Sequence, residues 1–278
     1  MEVAAMNYKL GIVEWAFPMP GPYGLKTAAE LGLQGMELDL GEYEDGFRLG
    51  NPRIQDAYLE CGAKYGIEFP SMAINALNTH GMSHDRDSVD GMIAIEAIRK
   101  GITAAKRMNI PVVQLPSFDS GDIRTEKDFY NTCEKVRLAC ELAEGSDIIL
   151  AVENVLDAAH TKKMLKEVGC DKLKVMFDTQ NYYLDRGYSE PELLSEIADD
   201  VVQIHIKDGF NGAISSALLG HGDVSFMETA EVIKRTKCTK WLLLENYYHQ
   251  QPLSLMNEDC FELISEDIKT VQKIFGSL

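Results

Sequence analysis

Cys-x-x-Cys pairs are absent from this 278-residue chain. Its six cysteines (61, 133, 140, 170, 238 and 260) have no metal-binding spacing and are read as reduced thiols serving as small apolar residues. Basic residues are scarce beside acidic ones. With 27 Lys and Arg against 44 Asp and Glu, the net charge is −17, and such a field repels nucleic-acid phosphates and anionic membranes. No run approaches the ~18 apolar residues of a membrane span. Met1-Glu-Val-Ala-Ala-Met-Asn-Tyr-Lys has neither a basic n-region nor an apolar h-region. A cytoplasmic protein with no nucleic-acid and no membrane partner is expected. Also missing are a Pro/Ser-rich linker, an internal repeat and the Gly-x-Gly-x-x-Gly turn that an open doubly wound sheet would show. A 45% hydrophobic chain of this length can bury one large core, so residues 1–278 are expected to form a single domain.

What is present is one design used several times. In Val201-Val-Gln-Ile-His-Ile-Lys-Asp208, Val202, Ile204 and Ile206 form one side and Gln203, His205 and Lys207 the other, which is the period-2 pattern of a strand. A polar row of this kind can simply face water. Three other strand-like runs in this half, however, also end in an acid: Ile148-Ile-Leu-Ala-Val-Glu153, Leu173-Lys-Val-Met-Phe-Asp178 and Trp241-Leu-Leu-Leu-Glu245. The four polar tips are 25, 27 and 40 residues apart, about one strand–helix unit each. Upstream, residues 8–15, 33–40, 66–75 and 110–117 read as strands. Helices are expected at 24–31, 52–65, 88–107, 125–143, 157–168, from 189 onward, 223–237 and 258–275. Ser88 is a suitable N-cap, and Thr125-x-x-Asp128 is a capping box with Asp in place of Glu. Eight strands alternating with eight helices predict an α/β fold, a single (β/α)8 TIM barrel.

In such a barrel the carboxyl ends of the strands converge, so Glu153, Asp178, His205 and Glu245 are expected to meet. Three carboxylates at one point repel one another and raise each other's pKa unless a cation neutralises them. With one imidazole added, the set suits one divalent ion: manganese first, with magnesium, cobalt or zinc as other candidates. Taken singly, each acid has an ordinary explanation as an N-cap or a solvated loop residue, and the histidine as a satisfied structural residue. Their joint occurrence on consecutive strands is what points to a metal.

The segments Val-Glu153-Asn, Phe-Asp178-Thr, Val-Gln-Ile-His205-Ile-Lys207-Asp208, Leu219-Gly-His-Gly222-Asp-Val-x-Phe226 and Leu-Glu245-Asn resemble the xylose-isomerase-like barrel superfamily of sugar and sugar-phosphate isomerases and epimerases, which includes the ketose 3-epimerases. The resemblance is detailed from the fifth strand to the eighth. It implies that the four residues bind one divalent ion and that Glu153 and Glu245 are the catalytic acid/base pair. A metal holding O2 and O3 of a ketose would stabilise the enediolate left when C3 loses its proton, and delivery of a proton to the opposite face inverts that carbon. The expected partner is a small-molecule sugar or sugar phosphate, and a homo-oligomer is compatible with it. The expected enzyme is an isomerase, an epimerase acting on carbohydrates. Two alternatives stand beside it: a lyase acting on 3-oxo-sugars, of the C-glycoside-cleaving kind, and a sugar-binding subunit without chemistry.

The chain departs from the epimerases at two places. Asn181 stands where they often carry a substrate-binding His, and no Arg follows His205 closely. Lys207 shares a side with His205 and is a candidate for binding a sugar oxygen or phosphate, or for pairing with an acid such as Asp208. Trp15, with Glu14 and Phe17, can form a wall for the sugar face or pack. His80, followed by His84, is a further substrate-binding candidate after the third strand. Ser215, Ser216 and the glycines around His221 can receive a phosphate or make turns.

Overall fold

The computed structural model describes residues 8–276. Its strands are β1 (Lys9–Val13), β2 (Gly35–Asp39), β3 (Met72–Ala73), β4 (Val112–Pro116), β5 (Ile149–Glu153), β6 (Leu173–Asp178), β7 (Val201–Ile206) and β8 (Trp241–Leu244), joined in that order as a closed barrel. The α-helices are α1 (Gly24–Glu30), α2 (Pro52–Tyr65), α3 (Ala76–Thr79), α4 (Val89–Met108), α5 (Glu126–Ala143), α6 (Ala158–Val168), α7 (Asn181–Arg186), α8 (Glu190–Ile197), α9 (Phe226–Thr236) and α10 (Cys260–Phe275). The chain is the expected (β/α)8 TIM barrel. Two helices were not foreseen, α3 and α7, at four and six residues too short to show a helical period. Gly187, with φ of 68°, ends α7 in the left-handed conformation that glycine adopts without strain.

The chain packs as two compact units. One runs to Met36, takes in Tyr65–Glu68 and resumes at Phe177; the other comprises Glu37–Lys64 and Phe69–Met176. In the first, β8 lies parallel to β1, from Lys9↔Trp241 to Ile12↔Leu244, and to β7, from Ile204↔Leu242 to Ile206↔Leu244. All of β7 except Val202 is buried, on both sides. The polar row Gln203, His205 and Lys207 therefore does not face water, as parallel strands covered on both faces require. In the second unit, β4 and β5 pair from Val112↔Ile149 to Pro116↔Glu153, and β3 joins β2 and β4. The expected strand over 66–75 shrinks to Met72–Ala73. Pro70, which has no N–H to donate, lies between this pairing and an isolated bridge from Gly35 to Glu68.

The helix starts follow their local chemistry. Ser88 Oγ accepts the Gly91 N–H at 3.0 Å, and Thr125 and Asp128 form the reciprocal capping box at 3.2 and 2.8 Å. Caps of this kind each contribute about 1 kcal/mol. All six cysteines are free, and burial pushes the Cys133 thiol up to about 11, which suits an inert core residue. Among the described residues no helix is long and apolar enough to cross a membrane.

Candidate metal centre and active site

Glu153 ends β5, Asp178 ends β6, His205 lies one residue before the end of β7, and Glu245 follows β8 directly. Each offers a ligand atom to one group in which these atoms lie within 4.8 Å of one another, and all four residues are buried. The four strand tips expected to meet do meet.

Each has further partners that hold it in place. Asp178 combines the contacts of an acid at a helix start with a place in this group. Its Oδ1 accepts the backbone N–H groups of Gln180 at 2.7 Å and Asn181 at 2.6 Å at the start of α7, while Oδ2 lies 3.1 Å from Lys207 Nζ. Glu245 takes Trp15 Nε1–H on Oε1 at 2.9 Å and Lys207 Nζ on Oε2 at 2.7 Å, with His205 Nδ1 3.3 Å from the same Oε2. Burial pushes the Glu245 carboxyl up, but Lys207 and His205 outweigh burial and hold it well below the usual carboxylate range. The Trp15 ring meets the His205 ring edge-on at 5.9 Å. In the other unit, Gln114 of β4 donates its Nε2–H to Glu153 Oε2. Gln114 is absent from the expected site, although as the polar member of an otherwise apolar strand it carried a signal.

Several secondary candidates land elsewhere. Lys207 pairs with Asp178 and Glu245, not with Asp208. The Asp208 carboxylate instead collects the N–H groups of Gly209 at 2.8 Å, Gly220 at 2.9 Å and Gly222 at 3.0 Å. A Cβ on Gly222 would come within 2.0 Å of Asp208 Oδ1, so glycine is needed there for close approach. The glycine loop around His221 therefore wraps an anion of the chain itself. Ser215 Oγ donates to Glu245 O at 2.9 Å and Ser216 Oγ to Ala213 O at 2.7 Å, and both serines are buried. These contacts close a loop instead of presenting hydroxyls to a phosphate. Of the expected wall, Trp15 touches the centre, whereas Phe17 is buried against Phe261 and Glu14 Oε1 accepts the Gly21 N–H at 3.2 Å. Asn181 is buried, with its backbone on Asp178. His80 Nδ1 lies 2.8 Å from Asp90 Oδ1, and its ring meets Tyr43 edge-on.

Among the buried acids that the expected site left out, Asp267 lies next to it in the fold. Asp267 of α10 accepts Asn246 Nδ2–H and Tyr248 Oη–H at 2.8 Å each on Oδ2, and Leu219 N–H at 2.8 Å on Oδ1. Burial raises its carboxyl to about 6. It ties the loop after β8, which begins with Glu245, to the loop carrying Leu219. Its position inside the apolar stripe of Leu263, Ile264, Ile268 and Val271 was the available clue.

The centre fits a divalent ion on its own chemistry. Three carboxylates and an imidazole, buried with their ligand atoms gathered, are a hard oxygen-rich donor set with an excess of negative charge. Comparison with known proteins agrees with the architecture. Over 247 residues the chain is 30% identical to 2-epi-5-epi-valiolone 7-phosphate 2-epimerase of Actinoplanes sp., covering 87% of this chain and 88% of that one. D-psicose 3-epimerase from Clostridium cellulolyticum H10, solved with D-tagatose, superposes with a TM-score of 0.76 over 96% of this chain and 99% of that chain, at 14% identity. The IOLI protein, solved with a zinc atom, superposes with a TM-score of 0.75 over 96% and 98%, at 13% identity. Residues 25–266 match the family itself. The chain belongs to the xylose isomerase-like TIM barrel family.

Proposed function

We propose that this protein is a divalent-metal-dependent epimerase of a sugar or sugar phosphate, with Glu153, Asp178, His205 and Glu245 as metal ligands and Glu153 and Glu245 as the acid/base pair. The observation that carries the reading is the buried group of four with ligand atoms within 4.8 Å of one another. The epimerase relative at 30% identity supports the reaction class, because it spans most of both chains. A divalent ion bound there supplies positive charge beside a substrate carbonyl and so acidifies the neighbouring C–H. One glutamate, ionised, removes that proton, and the other, protonated when the reaction starts, returns one to the opposite face. Lys207 Nζ holds one oxygen of Glu245 and the Trp15 N–H fixes the other, so its orientation is set before substrate arrives.

Inversion at C3 of a ketose is the specific reaction we assign, with manganese as the ion. The Actinoplanes relative is named a 2-epimerase of a 7-phosphate, so the assay must include C2 epimers and phosphate esters. The relatives named above that carry an activity are epimerases, which gives the lyase alternative no support. The test is NMR in D2O with the Mn2+-loaded protein and a panel of ketoses, cyclitol ketones and their phosphates. Deuterium should appear on the carbon next to the carbonyl, in a product that keeps every substrate carbon. Absence of exchange on every member of the panel would sink the proposal.

A further inference from the structure

While all three of its carboxylates are ionised, a centre of three carboxylates and one divalent ion keeps one negative charge in excess, because a metal-bound imidazole is neutral. The structure supplies the missing charge. Lys207 is only 1% exposed, and its Nζ lies 2.7 Å from Glu245 Oε2 and 3.1 Å from Asp178 Oδ2, two of the four ligand residues. Its main chain is clamped beside the same centre. Thr179, the residue after Asp178, donates its hydroxyl to Lys207 O at 2.7 Å and accepts the Lys207 N–H on the same oxygen at 2.9 Å. A buried ammonium persists only where carboxylates compensate it, and here the compensating carboxylates are those that face the ion.

We propose that Lys207 is the resident counter-cation of this centre. It is a positioning residue that balances the third carboxylate, orients Glu245 through Oε2 and moderates the hold on the divalent ion. The proposal rests on the metal reading above and deepens it. It has two consequences of opposite sign. Without Lys207 the ion would sit among three carboxylates with no competing charge and be held more tightly. The loaded centre would then be net negative, opposing the charge that develops on the substrate as its proton leaves.

The experiment uses full-length protein stripped with chelator. Wild type, Lys207→Met, Lys207→Gln and Lys207→Arg are titrated with Mn2+, read by calorimetry and by the fluorescence of Trp15, one of only two tryptophans. Both neutral variants should bind Mn2+ about tenfold more tightly, about 1.4 kcal/mol. Lys207→Arg, which keeps the charge, should stay near the wild type. On any substrate the wild type exchanges, the neutral variants should slow kcat by about a hundredfold with KM little changed. A core-packing role would not tighten metal binding while slowing turnover. Neutral variants that fold only when Mn2+ is supplied would support the proposal, since the ion then replaces the missing charge. Unchanged or weaker Mn2+ binding, or failure to fold even with Mn2+, would overturn the role of Lys207 alone. A wild type that binds no divalent ion would overturn the metal reading and this proposal with it.

Discussion

Two histidines in this barrel are each held by carboxylates, yet their surroundings have little else in common. His80 pairs with Asp90 at 2.8 Å and lies 3.6 Å from Glu44, and the two acid side chains are 43% and 66% exposed. His80 itself is only 9% exposed, but water screens its two acids, and a pair with such an exposed acid contributes about 0–1 kcal/mol. His205 is fully buried, in a group with three buried carboxylates, beside Trp15 and near a buried lysine. There the like charges cannot be left to solvent, and a cation is the compensation that the donor set fits. A histidine beside an acid is thus no sign of chemistry by itself. Burial of the carboxylates themselves, with an excess of one charge, is the better sign.

The largest expected effect is on turnover. Glu153→Gln and Glu245→Gln keep size and a ligand oxygen but remove the base, and each should lower kcat by about 10^3-fold with an unchanged circular dichroism spectrum. Near-normal rates in both would move the acid/base pair elsewhere. Removal of the ion comes next. Chelation should lower Tm of the wild type, with a loss of about 2.7 kcal/mol if the ion stands at a hundred times its Kd, and should leave His205→Ala nearly unaffected. An equal response in His205→Ala would detach the ion from this centre.

A smaller effect should appear in the pH dependence of stability. Glu190 of α8, which accepts the Tyr183 N–H at 2.8 Å, has its carboxyl pushed by burial from 4.5 to about 7. Because the folded pKa is raised, its contribution is full below about 4.5 and is lost as pH rises through about 7. Glu190→Gln should therefore gain stability relative to the wild type between pH 4.5 and 8, on the order of 2 kcal/mol, in urea melts at the two pH values. A constant difference would refute the raised pKa. Smallest of all should be His80→Gln, within about 1 kcal/mol in stability and a few-fold in kcat/KM. A loss beyond tenfold would make His80 a substrate ligand and erase the contrast with His205.

The fold was readable because its signals are local. Alternation in Val201–Ile206, the caps at Ser88 and Thr125, and the spacing of four polar strand tips each need only a few neighbouring residues, and eight strand–helix units admit few topologies. Where local rules broke, a single residue explains it, as Pro70 does for the short β3. Partner choice was not readable in the same way. Lys207 stands next to Asp208 in sequence, and the alternation of a strand turns adjacent side chains to opposite sides, so Lys207 reaches Glu245 and Asp178 while Asp208 turns to the glycine N–H groups.

The amino-acid sequence by itself determined the strands, most of the helices, the barrel they close into and the four residues of the candidate centre, because periodicity and strand order dictate which tips share an end. Only the tertiary structure decided which charges meet there. Gln114 on Glu153, Trp15 and Lys207 on Glu245, and Asp267 beneath Asn246 are contacts between residues 21 to 230 positions apart. No local pattern encodes such pairings; they arise when barrel closure takes water from polar groups and leaves each to find compensation among those buried with it.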